Sequence, residues 1–121
     1  MNSYLAKNYR AAAALAAYRI VKFGAADGEV QHAAAAADAS IGITDRSATD
    51  CPAGARVDVV RTGLTLVEYG GAVTRGQLLT ADAQGRAVAA AGAARVIAVA
   101  EVSGVAGDVC LVLIAPSSAA A

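Results

Sequence analysis

Asp27-Gly28-Glu29-Val30, an alanine run, Ile41-Gly42-Ile43-Thr44-Asp45, Gly54 and Val57-Asp58-Val59 follow one another in the first half of the chain. The second half repeats the order: Gln84-Gly85-Arg86-Ala87-Val88, an alanine run, Ile97-Ala98-Val99-Ala100-Glu101, Gly107 and Val109-Cys110-Leu111. Gly28 and Gly85 lie 57 residues apart, Asp45 and Glu101 56, and Gly54 and Gly107 53. Each half reads as a hairpin turn, a spacer, a short apolar strand ending in an acid, a loop glycine and another apolar strand. Asp-Gly is the dipeptide that accepts φ > 0 in a tight hairpin. One such unit leaves a sheet face bare, and two packed together cover both. The repeat therefore predicts a mainly β protein, a small β-sandwich or barrel built from two pseudo-repeated β units.

Strand signals extend outward from the repeat. Tyr18-Arg19-Ile20-Val21-Lys22-Phe23 is β-branched and aromatic, and Val57 and Val59 alternate with charges. Thr62-Gly63 reads as a turn between Arg56–Arg61 and Leu64–Tyr69, and Gly70-Gly71 breaks the second run. Turns are thus expected at Gly28, Gly63, Gly71, Gly85 and Gly107. Val109 to Ile114 is continuously apolar and reads as a strand covered on both faces. Residues 18–116 form the expected β domain and 117–121 a flexible tail. Residues 1–17 read as an N-terminal arm, either extended or helical over about residues 10–17, where alanine dominates.

Composition narrows the function. Alanine supplies 34 of 121 residues, and Val, Ile, Leu and Phe together only 28, so an isolated domain has a thin core. Small domains in that position gain from oligomerisation. Ten basic and ten acidic residues cancel, with no basic stripe and only five aromatic side chains. That leaves no footprint for a nucleic acid. No apolar run reaches the ~20 residues of a membrane helix, and no secretory leader is evident, so synthesis in a cytoplasm is expected.

Nothing in the sequence assembles an active site, and no enzyme activity, cofactor or metal is expected. His32 is the only histidine and has no neighbouring Cys. The serines lack a G-x-S-x-G elbow. Asp38, Asp45 and Asp50 lack the ligand spacing of a calcium loop. Lys7 and Lys22 do not sit at hairpin tips, as a lipoyl or biotinyl carrier requires. Cys51 and Cys110 leave both a disulfide and two inert thiols open.

One wider similarity stands on an ordered set of motifs. Gly70-Gly71-Ala72-Val73-Thr74-Arg75-Gly76 is followed by Leu79-Thr80-Ala81-Asp82-Ala83-Gln84-Gly85-Arg86-Ala87, then Ile97-Ala98-Val99-Ala100-Glu101, Gly107-Asp108 and Val109 to Leu113. Over residues 18–116 the chain resembles bacteriophage capsid cement, or head decoration, proteins; Ala98 stands where that family often has Gly. The resemblance implies a homotrimer on the exterior of the virion capsid, made in the bacterial host cytoplasm, tying neighbouring major capsid protein subunits together. Tyr4, Tyr9 and Arg10 would then be arm contacts to the capsid or a neighbour, aromatics and Arg being favoured anchors. The alternative is the base of a head fibre or an adhesin-like binding module.

Overall fold

Short β-branched runs separated by residues that tolerate φ > 0 give strands that reverse at defined places. The structure, a computed structural model, describes residues 5–92 and 94–118. Nine strands form: β1 (Leu5–Ala11), β2 (Ile20–Phe23), β3 (Glu29–His32), β4 (Ser40–Thr44), β5 (Arg56–Glu68), β6 (Leu78–Ala81), β7 (Ala87–Ala89), β8 (Arg95–Ala100) and β9 (Val109–Ser118). A 3-10 turn at Arg46–Ala48 is the only helical element among the described residues. The helical version of the N-terminal arm is therefore not formed: alanine's propensity cannot repay nucleation in so short a segment.

The strands run in the order β1-β3-β2-β4-β5-β9-β8-β6-β7, with β1 also pairing to β5. The first five thus close on themselves as a small barrel. β1 lies antiparallel to β5, with Asn8 opposite Asp58, and parallel to β3, with Ala11 opposite Val30. The far half of β5 begins a second ring through β9, β8, β6 and β7, closed by a parallel bridge between Tyr69 and Ala87. The expected mainly β barrel of two related units is what the chain forms.

Equivalent hydrogen bonds show how closely the units correspond. The Gly54 amide donates to the Ala11 carbonyl at 2.7 Å, and Gly107 to Tyr69 at 2.9 Å. Ala12 donates to Val30 and Gly70 to Ala87, both at 2.8 Å. Leu15 exchanges two bonds with Cys51, as Val73 does with Gly104. Left-handed backbone recurs in step: Gly28 (φ 78°) with Gly85 (74°), Gly54 (88°) with Gly107 (93°), and Tyr18 (62°) with Gly76 (92°).

Three expectations change here. β5 is one strand of 13 residues, so Thr62-Gly63 is no turn; Gly63 takes φ 95° inside the strand, where β5 passes from one ring to the other. Leu5–Ala11 is not an arm reaching for a neighbour but the strand that closes the first barrel. β9 runs to Ser118, whose partner is Arg95, so the sheet takes in the first two residues of the expected tail; residues 119–121 lie outside the described residues.

Two cores result. One fills the first barrel with Tyr9, Leu15, Val21, Val30, Val57 and Val59. The other fills the second ring with Val67, Tyr69, Leu79, Ile97 and Val112, and it takes in Ile20, Ile43 and Val60 from the outer side of the first barrel. Burial of side chains of this size contributes about 1.5–3 kcal/mol each.

Candidate interaction surfaces

His32, Asp38 and Asp45 are occupied with holding loops. His32 Nε2 accepts a hydrogen bond from the Ala16 amide at 3.0 Å, which ties the 12–19 segment to β3. Burial, then the nearby Arg19 charge, lowers the His32 pKa below its ordinary value. Asp38 Oδ2 accepts from the amides of Ala34 and Ala35 and pairs with Lys22 Nζ at 3.0 Å, folding the alanine run into a turn. The Ala34 bond and then Lys22 depress its pKa. Asp45 caps the 3-10 turn by accepting from the Ser47 amide. Asp38, Asp45 and Asp50 form no common site, and no cluster of metal-ligating side chains occurs among the described residues. Cys51 and Cys110 are free thiols, Cys51 within the first core and Cys110 packed against the second. No described helix is long and apolar enough to cross a membrane.

A charged seam joins the units. Arg19 donates to the Gln84 carbonyl at 3.0 Å and to Glu68 Oε1 at 3.3 Å. Arg86 lies 3.8 Å from Glu68 Oε2 and donates to Asp82 Oδ2 at 3.2 Å. These groups are partly exposed, so the network orients the units more than it stabilises them.

The residues expected to contact a partner do not form a patch. Tyr9 is 1% exposed: its ring fills the barrel end and its hydroxyl accepts from Arg61. A neighbour cannot reach it, so its assignment as a partner contact is withdrawn; the polar sequence around it hid an inward-facing residue. Arg10 is exposed, in a 4.0 Å contact with Glu29. Tyr4 lies outside the described residues. Among the glycines, Gly28, Gly85 and Gly107 occupy left-handed turns, whereas Gly71 does not. Its neighbour Gly70 is the tight position, since a Cβ there would come within 2.2 Å of Asp82 Oδ2.

The outer faces of the units differ sharply. On the first, β1 presents Asn8 and Arg10 beside Asp58 and Arg56 of β5. Asn8 donates to Asp58 at 3.1 Å and accepts from Arg56 at 2.7 Å. The matching positions on the second unit are Leu66 and Glu68 of β5 beside Leu111 and Val109 of β9. Leu66 is 40% exposed and Val109 44%. The covered-on-both-faces reading of Val109–Ile114 is therefore corrected: Val112 and Ile114 point inward while Val109 and Leu113 face solvent. Leu64 opposes Leu113, Leu113 opposes Val99, and Val99 opposes Leu78, giving an uncharged row across four strands. An open groove of about 410 Å³ adjoins it, bounded by Tyr18, Asp45, Arg46, Leu64, Leu66 and Leu111. In sequence each leucine passes for strand filling. The signal appears only when the halves are laid over each other, Asn8 on Leu66 and Asp58 on Leu111.

No protein-family model matches the chain, and no curated protein matches it. Among solved structures it is similar to the head fiber gp8.5 N base of bacteriophage phi29, at 21% identity and a TM-score of 0.72. The match covers 97% of this chain and 98% of that one. The doubled β architecture is thus shared, end to end, with a phage head fibre base.

Proposed function

We propose that this chain is a structural protein of a phage head, seated on the outer shell as the base of a head fibre. The observation that carries the reading is the end-to-end likeness to the phi29 base, which covers 97% of this chain and 98% of that one. The protein works by contact and not by turnover: its histidine holds a loop, and the outer face of its second unit leaves an apolar row bare. Its partners are the major capsid protein and copies of itself, assembled as a homotrimer. Several modest contacts made together give slow release from the shell.

Capsid cement is the second reading, favoured by the ordered motifs from Gly70 to Leu113. Heads stripped of this protein separate the two. Purified chain should rebind to saturable sites, and a fibre base leaves the temperature at which heads release their genome unchanged. A raised release temperature selects cement. Absence of any binding to heads refutes both.

A further inference from the structure

The duplication provides an internal control for what each surface is for. In the first unit the outward row Ile20–Ile43–Val60 crosses β2, β4 and β5. All three residues are buried, because the second unit packs over them. The matching row of the second unit is Leu78–Val99–Leu113, in the same register across β6, β8 and β9. Leu78 is 42% exposed and Leu113 39%. The row that docks one unit on the other is thus present twice, and covered once.

The receiving surface is also duplicated. The Gln84–Gly85 turn of the second unit meets the first: Gly85 accepts from the Ile20 amide at 2.7 Å, and a Cβ at Gly85 would lie 2.9 Å from the Ile20 carbonyl. The equivalent Asp27–Gly28 turn faces open space, with nothing within 4 Å of a Cβ at Gly28. Beside it Phe23 is 51% exposed. Phe23 stands where the second unit has the buried Ala81. A groove of about 270 Å³ runs along residues 23–28.

One bare row and one bare receiver, each with a covered counterpart in the same chain, identify the occupant as a second copy. We propose that copies associate head to tail, the Leu78–Val99–Leu113 row of one seated on Phe23 and the Asp27–Gly28 hairpin of the next. This repeats between chains the packing that joins the units within one. The row carries no charge, so docking strands no ion. Such a contact is heterologous, and it either closes into a ring or propagates. The proposal does not depend on head binding: a protein that decorates heads as a monomer would refute it, and the homotrimer with it, but would leave the seat on the phage head standing.

Sedimentation velocity of the full chain tests it. Wild type should form species larger than a dimer as concentration rises. Leu113→Glu loses the row and Phe23→Glu the receiver, and each alone should be monomeric, weakened by at least about tenfold, the equivalent of about 1.4 kcal/mol. Mixed in equal amounts, they should stop at a one-to-one pair, because one intact row meets one intact receiver. Leu78→Glu substitutes for Leu113→Glu should the latter lose its folded circular dichroism spectrum. A wild type that stays monomeric, a Phe23→Glu variant that assembles normally, or folded variants that fail to pair overturns the proposal.

Discussion

Gly42→Ala should destabilise the protein although the matching position of the second unit is already alanine. Gly42 sits in β4 opposite Val21. A Cβ there would lie 2.5 Å from the Val60 carbonyl oxygen and 2.7 Å from Val59 Cγ1. Val60 cannot give way easily, because it is paired to Ala6 on one side and Ile43 on the other. Overpacking of this kind costs about 1–3 kcal/mol, and the reduced freedom of the unfolded chain returns about 0.4–1 kcal/mol. The net loss is about 1–2 kcal/mol, or about 3–10 °C in melting temperature for a chain of this size. At Ala98 the β8–β9 register shifts between Val96 and Ala98, and the methyl is buried in the core. The reverse substitution there, Ala98→Gly, should therefore also cost about 1 kcal/mol, through lost burial and added backbone entropy. Urea unfolding of both variants measures the pair. A Gly42→Ala protein as stable as wild type would show that the β4–β5 approach is not tight and would refute the reasoning.

Three other outcomes follow from the same geometry. Tyr9→Phe removes the acceptor for Arg61 and should cost about 1 kcal/mol, whereas Tyr9→Ala empties the barrel end and should cost about 3–5 kcal/mol by urea titration. The folded pKa of His32 is depressed below 6.5, so the unfolded chain binds the proton more readily. Stability should be full above pH 6.5 and fall as pH drops below it; the fall should vanish in His32→Gln, and an unchanged slope would rule out burial of His32 beside Arg19 as its source. The Tyr69 hydroxyl donates to the Val102 carbonyl at 2.8 Å, and burial, then Cys110, pushes its pKa up to about 12. The last step of a phenolate absorbance titration should therefore come in near pH 12 and disappear in Tyr69→Phe.

The halves, their spacing and most strands are legible in the sequence because turn chemistry is local. Asp27-Gly28 and Gly85 mark reversals wherever they occur, and the offsets of 57 and 53 reappear in the equivalent hydrogen bonds. What failed depended on partners far along the chain. β1 looked like an arm because its partners, Asp58 and Val30, are supplied by later strands, and nothing within residues 5–11 shows that Tyr9 faces inward. Thr62-Gly63 looked like a turn because a glycine with φ 95° is locally indistinguishable from one. Only pairing on both sides of it, to Ile43 and Thr44 of β4 before and to β9 after, carries the strand through. The bare leucine row was hidden for a third reason: exposure is a property of the assembled rings.

β5 is staple and hinge-pin together, its first residues walling one ring and its last the other. No cut through the middle of this chain yields two viable halves, since each would lack the wall the other carries away. Heat should accordingly melt the protein in a single calorimetric step, and a tug applied at one ring must travel down those thirteen residues to reach the other.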